Sequence, residues 1–328
     1  MPAERTMRQH VWPLLGDRKR VSSICAVFAM VCASSFPSGG TETKTSLNAH
    51  LSDAARNGQR AEVMRLIQAG ANVNTKDSRE PTDDDDISGA TALSYAAFYD
   101  DIELVKWLLS HGADPNSVDH EGSPLTSAIR SGDIEIVTLL LNSGSRLPTS
   151  QQKDDAIILA ASGDHTDLVD LLLKLGASIN SVGFVRDSSQ PTSLLSRACE
   201  KAGPALVKHL IELGANVNSE PRLRNKTGST PLMSATSAGK IASIELLLAH
   251  GADVNKRSYD FMAGDNVTPL EVSVSNRNLE AIKLLEAAKP NSASFKEALA
   301  RARNNWNGVK PEDAEIIGIL ETASQGAP

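Results

Sequence analysis

Cysteine, aromatic residues, basic charge and long apolar runs are all scarce in this chain of 328 residues, and each scarcity removes a class of protein. Cysteine occurs 3 times, at Cys25, Cys32 and Cys199. The first two lie in an N-terminal stretch that reads as a leader. The body then keeps Cys199 alone, so no intrachain disulfide forms and packing must supply the stability. Aromatic residues make up 4% of the chain, whereas the apolar share is 41% and is mostly Ala, Leu, Val and Ile. That balance favours tightly stacked helices over an aromatic-filled sandwich. Lys and Arg number 33 against 40 Asp and Glu, a net charge of −7. Nucleic acid would require Lys and Arg clustered on one face, so an acidic body argues against it.

Catalytic and metal-binding patterns are missing as well. There is no HExxH, no Cys-x-x-Cys, no Gly-x-Ser-x-Gly and no phosphate loop. The 7 histidines are scattered. His111 and His250 stand just before Gly turns and read as solvated helix ends, where an imidazolium complements the dipole. The run Asp83 to Asp86 lacks the spaced pattern of a calcium loop and reads as a solvated acidic finger. Cys199 falls at a small-residue site between helices and reads as a buried, inert thiol. The expectation is no catalysis, no cofactor, no metal and no small-molecule substrate.

The longest apolar run is "VSSICAVFAMVCA", Val21 to Ala33, preceded by Arg18, Lys19 and Arg20 and followed by Ser, Pro and Gly. A positive flank, a short hydrophobic stretch and a small-residue exit make a signal peptide. Val31 and Ala33 stand at the −3 and −1 positions of a cut after Ala33. The run falls short of the roughly 20 residues needed to span a bilayer. Residues 1–33 are therefore expected to direct export to the periplasm or the outside, with an uncleaved anchor through residues 21–35 as the alternative. Loss of their net +3 takes the chain from −7 to −10. Residues 34–45 read as a linker.

Self-similarity dominates from Leu47 onward. A turn of the form Gly-Ala-(Asp/Asn)-x-Asn begins at Gly70, Gly112, Gly176, Gly214 and Gly251, with a worn copy, "GSRLP", at Gly144. The separations are 42, 32, 32, 38 and 37 residues, the range of stacked supersecondary units. Before each turn stands a helix with apolar residues at i, i+3 and i+4, such as "IELVKWLLSH", and Gly closes it because it enters the left-handed region cheaply. Upstream of each lies a shorter helix with Ala or Ser where neighbours approach closely. Thr or Ser before Pro-Leu supplies an N-cap, with Pro at the first helical position.

"STPLMSATSAGKIASIELLLAHGADVN" and "GATALSYAAFYDDIELVKWLLSHGADPN" are the copies that most resemble the ankyrin repeat, with its period and Thr-Pro-Leu-His-x-Ala signature, although no copy keeps the His. The resemblance covers about Leu47 to Leu285. It implies an all-α solenoid of stacked helix-turn-helix units with β-turn or hairpin fingers, about seven units over residues 46–289. In the seventh, Ala287-Ala288 replaces the closing Gly. Residues 290–328 read as a C-terminal helical cap, since a terminal unit must solvate one face.

Four of the six connections between units are lengthened. From the last Asn of a turn to the Thr or Ser that restarts the next unit, Asn116 to Ser123 takes 7 residues. Asn74 to Thr91 takes 17, Asn180 to Ser193 takes 13, Asn218 to Thr230 takes 12 and Asn255 to Thr268 takes 13. All fall at one point of the unit, so stacking sets them side by side. In the resembled family that edge carries fingers beside a concave groove, the usual partner surface. Residues 75–88 hold a net −4 and include Asp84 and Asp85; residues 219–228 hold a net +2 through Arg222, Arg224 and Lys226; residues 256–267 add Tyr259, Phe261 and Met262. Such an edge would orient a partner by charge and anchor it by apolar contact. The competing reading is simple tolerance, because each doubling of loop length costs only about 0.6 kcal/mol. Phe98 and Tyr99 stand at a groove position where other units carry mostly small or polar residues, and with Arg130 at the matching place in the next unit they are a second candidate contact. The alternative for the two aromatics is packing beneath the acidic finger. The chain as a whole reads as a non-catalytic binding module for another protein. The alternatives are a membrane-tethered scaffold of the cell envelope and an inhibitor or immunity-type binder of a secreted toxin or enzyme.

Overall fold

The computed structural model describes residues 43–78, 89–119, 122–147, 149–184, 190–223, 226–260, 264–305 and 311–326. Each unit folds into two helices because a cap starts each first helix and, in six of the seven repeats, a Gly turn stops the second one. α1 (Lys44–Arg56) and α2 (Arg60–Gln68) form the first unit, α3 (Ala92–Phe98) and α4 (Ile102–Ser110) the second. α5 (Pro124–Ser131) pairs with α6 (Ile134–Asn142), and α7 (Ser150–Ser162) with α8 (Thr166–Lys174). α9 (Leu194–Lys201) with α10 (Pro204–Glu212), α11 (Pro231–Ser237) with α12 (Ile241–Ala249), and α13 (Pro269–Ser275) with α14 (Leu279–Ala287) complete the repeats. α15 (Ser292–Asn305) and α16 (Pro311–Gly326) follow as one more pair.

The caps are made by the residues that restart each unit. Hydroxyls of Thr91, Ser123, Thr149, Ser193, Thr230 and Thr268 accept from the backbone N–H three residues on, and Ser123, Thr149 and Thr268 complete capping boxes with Thr126, Gln152 and Glu271. At the other end the turn glycines lie at φ between 81° and 102°. The residue after each glycine donates its N–H to the carbonyl of a Leu five residues back, as Ala113 does to Leu108 and Ala252 to Leu247, both at 3.0 Å. This is the Schellman closure, in which an apolar residue after the glycine covers an apolar residue of the last turn. Ala113 and Leu108 are accordingly buried. In the seventh unit, where Ala287-Ala288 replaces the glycine, Lys289 takes the left-handed conformation at φ 58°.

The helices stack in two rows: α1, α3, α5, α7, α9, α11, α13 and α15 in one, α2, α4, α6, α8, α10, α12, α14 and α16 in the other, and one continuous apolar core runs between them. Cys199 lies within that core on α9, where burial pushes its thiol pKa up. Three of the lengthened connections form antiparallel hairpins: β1 (Val182–Phe184) with β2 (Pro191–Ser193), β3 (Arg222–Leu223) with β4 (Lys226–Thr227), and β5 (Ser258–Asp260) with β6 (Gly264–Val267). The first two press together so closely that a Cβ added at Gly228 would lie 1.7 Å from the carbonyl oxygen of Pro191.

One interaction links unit to unit along the turns. The last Asn of each turn reaches the next turn: Nδ2 of Asn74 donates to the Gly112 carbonyl at 3.1 Å while its Oδ1 accepts from the Asp114 N–H at 2.8 Å. Asn116 does the same to Gly144 and Arg146, and Asn218 to Gly251 and Asp253. Oδ1 of Asn180 accepts from Asn216, and Oδ1 of Asn255 from Asn291. The series has one gap in the sequence: the worn turn "GSRLP" carries Pro148 at that place, which has neither an amide side chain nor an N–H. Asn218→Ala removes two of these bonds and is expected to lower unfolding free energy by about 1–2 kcal/mol, read by urea denaturation.

Candidate functional site

A concavity lies beside the turn at which that series is interrupted. It has a volume of about 970 Å³ and sits on the face of α5 and α7, between the turns at Asn116 and Gly144 and the first hairpin. Its walls follow from the helical period: Thr126 and Arg130 are one turn apart on α5, and Gln152, Asp155, Ala156 and Leu159 share a face of α7. α7 is longer than its counterparts, 13 residues against 8 in α5 and α9, because Thr149 restarts the helix directly after the turn and the chain that elsewhere builds a finger is used for helix. The added turns bring Gln152 and Asp155 into the wall. β1 crosses beside them, where a Cβ at Gly183 would lie 2.5 Å from Oδ1 of Asp155, and places Phe184 in the rim.

The cavity is basic in an acidic chain. Arg130, Arg146 and Arg197 line it against the carboxylate of Asp155. Arg197 is 6% exposed, and its Nε donates to Oγ of Ser162 at 2.6 Å and its NH1 to Oε2 of Glu200 at 3.2 Å. A buried guanidinium held at both ends is oriented by its partners. Arg146 is exposed and Arg130 half-buried. Asp155 accepts from Nε2 of Gln151 at 2.8 Å. Val118, Leu147, Ala156, Leu159 and Phe184 supply an apolar lining.

Of the residues singled out from the sequence, Arg130 alone lies in this cavity. Phe98 and Tyr99 sit at the end of α3, towards the first unit: Tyr99 is 46% exposed, and its hydroxyl donates to the Arg56 carbonyl at 2.7 Å. Its ring stacks on Tyr95 with centroids 6.5 Å apart, and Phe98 meets it edge-on. Beneath them Tyr95 donates to Oδ2 of Asp77 at 3.0 Å, and Arg56 pairs with the same carboxylate at 3.1 Å. Asp77 belongs to the first lengthened connection, so Tyr95 holds its base, while nearly half of Tyr99 stays on the surface. Arg222 is exposed on the second hairpin and bound to Glu220 at 2.8 Å. Lys226 and Tyr259 stand in β4 and β5. Asp84, Asp85, Arg224, Phe261 and Met262 lie outside the described residues. At the base of the third hairpin Arg257 pairs with Glu271 on α13 and Glu297 on α15, which ties that hairpin to the C-terminal helices.

Arg146, Asp155, Phe184 and Arg197 were missed in the sequence. The signal available was Pro148 in place of Asn. His111 and His250 donate from Nδ1 to the carbonyls of Trp107 and Leu246, both at 2.8 Å, and so act at helix ends. Among the described residues no cluster of His, Cys, Asp or Glu could hold a metal ion, and no helix is long and apolar enough to cross a membrane.

A family model described as ankyrin repeats (3 copies) matches residues 51–151, 93–183 and 195–294. The chain belongs to the ankyrin repeat family. Among solved structures, the human ASB11 ankyrin repeat domain superposes with a TM-score of 0.54 at 23% identity, over 73% of this chain and 97% of that one, a likeness of fold. Curated relatives are similar over shorter stretches. An ankyrin repeat domain-containing protein SAT10 of Stachybotrys chartarum is 29% identical over 170 residues, 51% of this chain and 8% of that protein. An ankyrin repeat and KH domain-containing protein mask-1 of Caenorhabditis elegans is 30% identical over 152 residues, 46% of this chain and 5% of that protein. The chain thus spans less than a tenth of these relatives. Ankyrin repeats are generally protein–protein interaction modules, typically without catalysis.

The Arg56–Asp77–Tyr95 cluster in this ankyrin stack gives a pH test. Burial above all, then the hydrogen bond to Asp77 and its charge, push the Tyr95 hydroxyl up to about 12. The unfolded chain ionises Tyr95 near pH 10. Stability contributed by the protonated group is therefore complete below about pH 10 and lost as pH rises through 12. Ultraviolet titration of wild type against Tyr95→Phe should show the highest tyrosinate transition missing in the variant.

Proposed function

We propose that this ankyrin chain is an exported, non-catalytic binding module that holds another protein in its concave groove beside the hairpin fingers. The observation that carries the reading is the cavity on the first-helix face. It is about 970 Å³ in volume and combines an apolar lining with oriented guanidinium groups. Solenoid stacks present such faces because each repeat contacts only its neighbours and leaves one edge open. A regular stack has no need of an arginine buried at 6% exposure beside a groove. Recognition of charge gives that arrangement a purpose. The sequences of the lengthened connections add their own chemistry, basic at Arg222, Arg224 and Lys226 and apolar or aromatic at Tyr259, Phe261 and Met262. With Phe98 and Tyr99 towards the first unit and Asp84 and Asp85 in the first lengthened connection, these residues make up the proposed contact edge.

Export rests on the leader pattern of residues 1–33 alone, with periplasmic or extracellular delivery as its consequence. Mass measurement of the native N terminus is expected to find Ser34 first; a chain starting at Met1 in the membrane fraction would replace export with anchoring. Binding is tested by crosslinked pull-down from native extract with wild type and with Phe98→Ala, Tyr99→Ala and Arg130→Ala combined. A protein captured by wild type and lost from the variant at unchanged melting temperature is the expected result. Equal capture would move the contact off this face.

A further inference from the structure

The basic cavity has a composition that narrows the partner's chemistry. This inference rests on the protein-binding reading above. We infer that the cavity between α5, α7, α9 and the first hairpin receives a short, extended acidic segment of the partner, with carboxylates on Arg130, Arg146 and Arg197 and apolar side chains on Leu147, Leu159 and Phe184.

Charge complementarity carries the choice of occupant. The lining holds three guanidinium groups and one carboxylate, Asp155, with Glu200 paired to Arg197 from outside the lining, while the chain as a whole is −7. Basic charge is thus concentrated here against the sign of the molecule, and planar guanidinium forks match carboxylate geometry. Arg197 is not a floppy surface cation: Ser162 and Glu200 fix it from α7 and its own helix. An extended polyanion such as nucleic acid needs a longer basic track than three arginines, whereas a peptide with a few carboxylates ends its charge where the arginines end. The apolar wall asks for more than an ion, since Leu147, Leu159 and Phe184 remain half-buried until something covers them.

The cavity also has the right reach. From α5 to α9 is two helix spacings of about 8–10 Å each, a distance an extended chain covers in about five or six residues. The gap in the asparagine series lies at the same place: Pro148 interrupts the row of turn amides, and the turn before it contributes Gly144, Arg146 and Leu147 to the wall.

The test uses the full-length chain and a fluorescein-labelled hexapeptide that alternates glutamate with leucine, measured by anisotropy. Wild type is expected to bind it in a salt-dependent way, and the same peptide with glutamine in place of glutamate at least about tenfold more weakly. Arg130→Glu with Arg146→Glu should reduce binding of the acidic peptide by at least about tenfold. Arg146→Glu alone, at an exposed position, guards against a folding defect, with circular dichroism melts alongside. Glutarate at the peptide's concentration should leave it bound, and a single-stranded oligonucleotide should fail to compete. Equal binding of the glutamate and glutamine peptides, indifference to both variants, displacement by glutarate, or competition by the oligonucleotide would each overturn the inference. None of those outcomes touches the pull-down, so a partner still lost from the Phe98, Tyr99 and Arg130 variant would leave the broader reading standing.

Discussion

The hydrogen bonds from each turn asparagine to the next turn set the register of this solenoid. A repeat stack has no long-range sheet to align its units, and its continuous apolar core is built by each unit against its neighbours, so each unit must be positioned by its neighbour alone. Apolar packing between helices is permissive about sliding; an amide that must reach a carbonyl and an N–H of the next turn at once is not. At Asn74, Asn116 and Asn218 the side chain makes both bonds. That arrangement depends on two things nearby. The glycine must be left-handed so that its carbonyl faces the previous unit, and the Schellman bond must seat the next residue against the last turn of the helix. The repeated letters Gly-Ala and the final Asn of the turn are one device.

Where the device lapses, the groove face changes character. Pro148 leaves no side-chain amide between the third and fourth turns, and the same connection is spent on extra helix in α7 rather than on a finger. The cavity, its three arginines and its apolar lining gather at that junction. Specialisation of a repeat protein is achieved here by departing from the repeat, because a residue that serves stacking in every unit is not available for anything else.

The ends of the stack are held by buried carboxylates in ion pairs as well as by apolar packing. Asp77, 3% exposed, is held by Arg56 and Tyr95 at the first unit, and Asp313, 1% exposed, by Arg277 at the last. Removing one partner from such a pair leaves a buried charge, which is costly, so these pairs fix the terminal units' placement even where their net stabilisation is small. Lys283 with Glu315 and Arg303 with Glu321 continue the pattern on the solvated face of the last helices.

The sequence alone determined the family, the helix-turn-helix unit, the caps and the place of the fingers, because those features are local: an N-cap, a left-handed glycine and a 3.6-residue apolar period each act within a few residues and recur many times. It also marked Arg130 on the groove face. Tertiary structure alone decided that Tyr99 leans on Arg56 of the preceding unit, and that Arg130 and Arg146 meet Arg197 from a helix two units on in the same row. Those three arginines are 16 and 51 residues apart in order, and no local pattern relates them. Their meeting follows from the helix stacking that the turn amides hold in register, a long-range consequence of a short-range motif.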